Sequence, residues 1–218
     1  MSNSSTPAIE QAKQDIINVG KSIFDRGLTC GSSANISVKT DDGCVVTPTN
    51  SCIGFLNPDT LSVIDQHGKL ISGDKPSKEF ILHDAFYQQR PDTNAVIHLH
   101  SSYATAVSCF DGIDAHDAVT PYTPYLIMRL GEICLIPYFP PGDTKLADAI
   151  AEKASNYAGI LMANHGPIVA GENLWSTMYA IEELEESCKM MVLLKQHETR
   201  TLSEEQRQTL KDRFKKKR

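Results

Sequence analysis

The 218-residue chain is missing the features that would place it in several large classes. No uninterrupted apolar stretch exceeds a handful of residues, against the ~20 needed to cross a bilayer. Its start, MSNSSTPAIEQAKQ, has no basic segment followed by an apolar one, so secretion is not expected and the expected location is cytoplasmic. No Gly-x-Gly-x-x-Gly or Walker sequence follows an apolar run, which leaves a dinucleotide or nucleoside triphosphate site unsupported. There is no internal repeat and no stretch biased enough to be a linker, so a single domain over 1–218 is expected. The six cysteines form no Cys-x-x-Cys pair and are widely spaced. Reduced thiols that pack like small apolar residues are expected, not a disulfide scaffold.

Basic charge is scarce outside one end. The formal net charge is −6, and residues 211–218 hold Lys211, Arg213, Lys215, Lys216, Lys217 and Arg218 against Asp212. That segment is therefore +5 and the rest of the chain −11. A body this acidic argues against nucleic acid as the main partner, because phosphate binding needs basic surface. The polar, basic tail from about 203 is expected to be a solvated terminus and no membrane arm.

What is present is an alternation of helical and strand-like patterns. Ala12, Ile16, Val19 and Ile23 mark an amphipathic helix over 8–26 that Gly27 closes. Ile36–Lys39 and Cys44–Thr47 read as strands, and Leu61–Asp65 with Lys69–Ser72 as a hairpin. Pro76-Ser77 is read as the start of a helix that runs to about Gln89. A strand Ala95–His100, a helix Ser102–Cys109 and a strand Ile133–Tyr138 follow, then a helix Thr144–Ser155. Strands Gly159–Ala163 and Ile168–Ala170 precede a long helix from about Leu174 to Lys195. Ser203-x-x-Gln206 is a capping box for a last, polar helix. Early strands joined by turns, with helices interspersed, imply a mixed or antiparallel sheet covered by helices on both faces.

Three patterns carry chemistry. His98 and His100 flank Leu99 on a strand, where residues two apart share a face and their imidazoles can share a metal. Such a pair alone is more often structural. His165, in Ala-Asn-His-Gly-Pro straight after an apolar strand, changes the balance, since three imidazoles with open positions make a catalytic zinc site. His67, His83, His116 and His197 read as surface or helix-face residues. Glu79, in Gly-Asp-Lys-Pro-Ser-Lys-Glu, is either a helix-dipole partner or a general acid/base beside the metal. The same segment offers backbone N–H groups, the Ser77 hydroxyl and the Lys78 ammonium to a phosphate. Two further polar loops, Gly31–Asn35 and Thr47–Ser51, are either plain turns or parts of that phosphate pocket.

Taken in order, GSSANIS, TPTNS, GDKPSKE, HLH and NHG resemble the class II aldolase/adducin family over roughly residues 10–200. Within it, the stretches around TPTNSC, SGDKPSKE, HLHS, TPYLIMRLG and NHGPIVAGE are most similar to the 3-oxo-tetronate 4-phosphate decarboxylases. The resemblance implies an α/β fold, a three-layer α/β/α sandwich around a largely antiparallel sheet, and a homotetramer with sites between subunits. It implies that His98, His100 and His165 bind Zn²⁺, with Mn²⁺ or Co²⁺ as alternatives, and that Glu79 is the catalytic carboxylate and an occasional metal ligand. By the same likeness Asn35, Thr49, Asn50, Ser77 and Lys78 contact a substrate phosphate, and Tyr125 serves a neighbouring subunit's site. Arg129 is a candidate contact for the scissile carboxylate, its plain alternative being a surface or interface ion pair. Ala34 and Asn50 depart from the family by standing where Gly is usual, and Asn tolerates the left-handed backbone that Gly supplies.

The expected reaction is loss of CO₂ from a phosphorylated 3-oxo acid through a metal-stabilised enediolate, leaving dihydroxyacetone phosphate. The competing expectations are an aldolase of the L-fuculose 1-phosphate type, a pentulose-phosphate 4-epimerase, an adducin-like domain without chemistry, and an interaction module built on the basic tail.

Overall fold

A computed structural model describes residues 6–140 and 142–214. Lys215–Arg218, the outer part of the basic tail, lie outside the described residues. Helix α1 (Pro7–Asp25) starts on Thr6, whose hydroxyl accepts from the Ile9 N–H, and Pro7 supplies the preset φ of a first helical turn. Its buried stripe is Ile9, Ala12, Ile16, Val19 and Ile23, the spacing that the sequence shows.

The sheet has eight strands: β1 (Asn35–Thr40), β2 (Gly43–Val46), β3 (Ser62–Ile64), β4 (Leu70–Ser72), β5 (Ala95–His98), β6 (Cys134–Ile136), β7 (Gly159–Met162) and β8 (Gly166–Gly171). Their order is β4-β3-β2-β1-β5-β8-β7-β6. Every neighbouring pair is antiparallel except β6–β7. Hairpins join β1–β2, β3–β4 and β7–β8, whereas β1–β5 and β5–β8 pair strands distant in sequence. The β6–β7 connection instead runs through α5 (Lys145–Ala154), as a parallel pair requires.

Alternation along the strands divides the core in two. Ile36, Val45, Val63, Ala95, Ile97 and Val169 face one side, in a cluster with α1, α3 (Ser102–Ser108) and α6 (Leu174–Leu194). Cys44, Val46, Ile64, Val96, Ile168 and Ala170 face the other, packed with α2 (Phe80–Gln89) and α5. Asn35, Ser37 and His98 belong by register to this second face, so it carries a polar strip between apolar neighbours. Among the described residues no helix is long and apolar enough to cross a membrane.

Several boundaries differ from the sequence reading, each for a local reason. α2 begins at Phe80, not at Pro76, because the backbone before it is engaged elsewhere. Pro76 bridges Pro48, the Ser77 N–H donates to the Thr47 carbonyl, and the Thr49 N–H donates to the Lys75 carbonyl. β5 ends at His98, so His100 lies just beyond the strand, although the Leu99 N–H still donates to the Pro167 carbonyl. A 3₁₀ turn at Ile53–Phe55 and the short helix α4 (Tyr125–Arg129) have no counterpart in the sequence reading. The capping box forms as expected. Ser203 N–H donates to Gln206 Oε1 and Gln206 N–H to Ser203 Oγ, opening α7 (Glu204–Phe214). That polar helix buries no residue but is held by ion pairs Arg207–Asp117 and Lys211–Glu132. All six cysteines are free, with Cys44, Cys134 and Cys188 buried.

Candidate active site

The three histidines predicted from sequence come together. His98 sits at the end of the central strand β5, His100 two residues on, and His165 in the β7–β8 turn. Their ring centroids are 4.8–4.9 Å apart, and one ligating nitrogen from each lies within 4.8 Å of the others. The turn that delivers His165 is sterically demanding. Asn164 has φ 55°, and Gly166 has φ 153° with any added Cβ only 2.5 Å from the Leu99 carbonyl oxygen. Only a residue without a side chain lets the hairpin press this closely on the His98–His100 segment.

Glu79 completes the cluster from the N-cap position of α2, where its side chain makes no capping bond. Its carboxylate straddles two imidazoles, with Oε2 3.6 Å from His98 Nε2 and Oε1 3.5 Å from His165 Nε2. Asn35 Nδ2 donates to Oε2 at 2.7 Å. Burial alone would raise this carboxyl, but the hydrogen bonds with His165 and with the Asn35 amide outweigh it. Together they hold Glu79 well below the usual carboxylate range.

The donor set fits a divalent transition metal. His98 Nδ1–H donates to the Pro167 carbonyl at 2.8 Å, which fixes the tautomer and turns the Nε2 lone pair into the cluster. Burial pushes the His98 pKa down to about 4 and lowers that of His100, so both rings stay neutral, as ligands must be. His100 Nε2 lies 3.1 Å from His98 Nε2, and a carboxylate stands ready as an oxygen donor. Three imidazole nitrogens and one carboxylate suit zinc and its neighbours.

Around this cluster the three polar loops are stitched to one another. Thr47 Oγ1 accepts from the Ile36 N–H just after the Gly31–Asn35 loop, and the Pro48–Pro76 bridge joins the second loop to the third. Thr49 is half-buried and Asn50 exposed, and Asn50 takes φ 58°, the left-handed conformation a Gly would supply. Ser77 Oγ accepts from the Glu79 N–H at 3.2 Å, and Lys78 is exposed beside it. Tyr125 and Arg129 sit apart from these residues on α4, which packs on α6 and α7. Tyr125 is 57% exposed, and the Arg129 guanidinium lies over the Tyr179 ring at 5.6 Å.

The structure also shows functional neighbours that sequence reasoning missed. His83, expected at the surface or on a helix face, lies on α2 and is fully buried, whereas His67, His116 and His197 are exposed. It is packed against Asn35 and Ser37. Its signal was present in the sequence. Glu79, His83 and Tyr87 are four apart and so share one helix face. Glu185, on α6, is buried and accepts from Ser101 Oγ and from the Tyr103 and Ala104 N–H groups, clamping the chain that leaves His100.

The family of the class II aldolase and adducin N-terminal domain matches residues 14–192. The chain belongs to that family. It is 44% identical over 195 residues to a 3-oxo-tetronate 4-phosphate decarboxylase of Pectobacterium atrosepticum, covering 89% of each chain. The crystal structure of YgbL from Klebsiella pneumoniae is similar at a TM-score of 0.90 and 41% identity, over 93% of this chain and 98% of that one. An L-fuculose phosphate aldolase of Methanococcus vannielii is 34% identical over 81% of this chain and 93% of its own. The sheet of this class II aldolase fold is thus mixed, mostly antiparallel with one parallel pair.

Proposed function

We propose that the chain is a zinc-dependent lyase that decarboxylates 3-oxo-tetronate 4-phosphate to dihydroxyacetone phosphate and CO₂. The observation that carries this reading is the Glu79 carboxylate lying 3.6 and 3.5 Å from two imidazoles of a three-histidine cluster, beside three joined polar loops. His98, His100 and His165 would hold the ion, with Glu79 able to approach it when no substrate is present. When bound, the ion supplies Lewis acidity toward the substrate's C3 carbonyl oxygen.

The chain's own groups account for the rest. Ser77, Lys78, Thr49, Asn50 and Asn35 anchor the phosphate, so binding energy far from the reacting carbons fixes their position. The C1–C2 bond breaks, CO₂ departs, and the bonding pair moves into C2–C3 and toward the C3 oxygen. One proton must then reach C2. Asn35 occupies Glu79 Oε2, which leaves Oε1 as the atom that carries this proton. Glu79 is ionised in the resting site. Substrate brings a carboxylate and a phosphate beside it, and like charge raises a carboxyl toward the range in which it holds a proton.

The reading includes a cytoplasmic homotetramer in the family's three-layer layout, supported by two core clusters on opposite sheet faces. Tyr125 and Arg129 would then serve at a subunit boundary, supported by the exposure of Tyr125. An aldolase acting on a deoxyhexulose phosphate is the second reading, because it forms a similar enediolate with the same ligands and acid. Turnover of 3-oxo-tetronate 4-phosphate by zinc-loaded protein tests the first. Equal yields of CO₂ and dihydroxyacetone phosphate, lost on chelation and restored by Zn²⁺, are expected. Cleavage of L-fuculose 1-phosphate without CO₂ release from the acid would replace it with the second.

A further inference from the structure

A continuous hydrogen-bond chain runs from Glu79 into the second face of the sheet. Asn35 Nδ2 donates to Glu79 Oε2 at 2.7 Å, and Asn35 Oδ1 lies 2.5 Å from His83 Nε2. His83 Nδ1 is 2.7 Å from Ser37 Oγ, which is 2.6 Å from the Tyr87 hydroxyl. Asn35, Ser37, His83 and Tyr87 are all buried, the last beside the Cys44 thiol.

The direction of every link is determined by the first. An ionised carboxylate only accepts, so the Asn35 amide must turn its NH₂ to Glu79 and its oxygen to His83. His83 Nε2 must then carry the hydrogen, and a neutral ring leaves Nδ1 as an acceptor. Ser37 O–H donates to it, and the Ser37 oxygen takes the Tyr87 O–H. Burial, which pushes the His83 pKa down to about 3, keeps the ring neutral and the pattern intact. Without the His83 donor, Asn35 would be held by Glu79 alone and its buried oxygen would lose its partner, so the amide would turn with the carboxylate instead of fixing it.

Resting on the reading of Glu79 as the acid/base, we infer that His83 is a positioning residue that, with Ser37 and Tyr87 behind it, locks the Asn35 amide and through it aims the Glu79 carboxylate. The strand register supports this role. Asn35 and Ser37 are two apart on β1, and Glu79, His83 and Tyr87 are four apart along α2, so strand and helix present matching rows.

The test compares His83→Leu, which removes the donor, with His83→Gln, whose side-chain amide N–H can still reach Asn35 Oδ1. His83→Leu should bind metal in full yet lose kcat by about 10- to 100-fold, the usual cost of removing an outer partner, with KM little changed. His83→Gln should recover most of that loss. A metal-loaded His83→Leu protein with wild-type kcat overturns the inference, as does a Gln variant as impaired as the Leu one. If His83→Leu does not fold, Ser37→Ala breaks the next link and should lower kcat several-fold; a folded Ser37→Ala enzyme with wild-type kcat also overturns it. Imidazole ¹⁵N spectra give a readout independent of turnover. A neutral Nε2–H tautomer is expected at His83, and an Nδ1–H tautomer refutes the chain. Glu79→Gln separates the two claims. Full turnover in that variant sinks the acid/base reading, whereas an inactive Glu79→Gln with an unimpaired His83→Leu sinks only the positioning role.

Discussion

Asn35 and His98 stand opposite each other in the β1–β5 register, and both side chains reach the same Glu79 Oε2. A cross-strand pair on the central part of the sheet therefore sets the carboxylate against the histidines. The acid, carried at the N-cap of α2, is thus held against side chains of the central strands β1 and β5.

Replacing Glu79 by Gln separates metal binding from proton delivery. The amide keeps the shape, and its oxygen can accept from Asn35 Nδ2, while the three imidazoles remain. Metal content should stay near one ion per chain while kcat falls by about 10²- to 10⁴-fold, the usual contribution of a positioned acid. Metal analysis beside steady-state turnover checks this, and loss of metal in step with activity would make Glu79 chiefly a ligand.

Gly166→Ala tests the turn that presents His165. At φ 153° and 2.5 Å from the Leu99 carbonyl oxygen, a Cβ forces the hairpin away from the His98–His100 segment. A destabilisation of more than ~1 kcal/mol is expected for a side chain where the backbone cannot accept one. Metal affinity should fall as well, because the imidazole moves with the turn. Thermal melting with and without Zn²⁺ reads both effects. Unchanged metal affinity would show that His165 is held by something other than this turn.

Much of this site was visible in the sequence because its residues are local and chemically uncommon. His-Leu-His alone is more often structural, but with Asn-His-Gly after the next apolar strand it reads as a candidate ligand set, and Asn50 in place of Gly fits its left-handed backbone. What was hidden depends on register. Ser37 becomes meaningful only when β1 lies beside α2, and Glu185 acts on residues more than eighty positions away. Pro76-Ser77 has the composition of a helix start, but the Ser77 N–H is committed to the Thr47 carbonyl of a neighbouring loop, so α2 starts only at Phe80. The α4 helix, only five residues long, offers no periodicity to read.

Acid should weaken the fold through His83. Its pKa is lowered by burial to about 3 from 6.5, so between those values the unfolded chain binds a proton that the folded one excludes. Stability is therefore full above about pH 6.5 and declines as pH falls toward 3, at up to about 1.4 kcal/mol per pH unit for this one proton. Urea titrations of metal-free protein at several pH values should show the slope. His83→Leu should make it shallower, and an identical slope in that variant would assign the acid sensitivity to other groups.

Glu185 should prove as important to the site as a residue that touches no ligand can be. Its carboxylate receives Ser101 Oγ at 2.7 Å and the Tyr103 and Ala104 N–H groups at 2.9 and 2.8 Å. Those donors form the first turn of α3, whose own cap residue Ser101 makes no capping bond with its side chain. Glu185 thus does from α6 what an N-cap side chain does locally, with a full negative charge at the positive end of a helix. Glu185→Ala leaves these donors without an acceptor in a buried place, at a cost on the order of 3 kcal/mol. That corresponds to a melting point lower by roughly 6–12 °C for a chain of this size. Because α3 follows directly on His100 and Ser101, metal affinity should drop too. Calorimetry on metal-free protein measures the first effect and zinc titration the second. A variant that melts lower but binds zinc as the parent does would confine Glu185 to holding the helix and leave His100 positioned without help from α3.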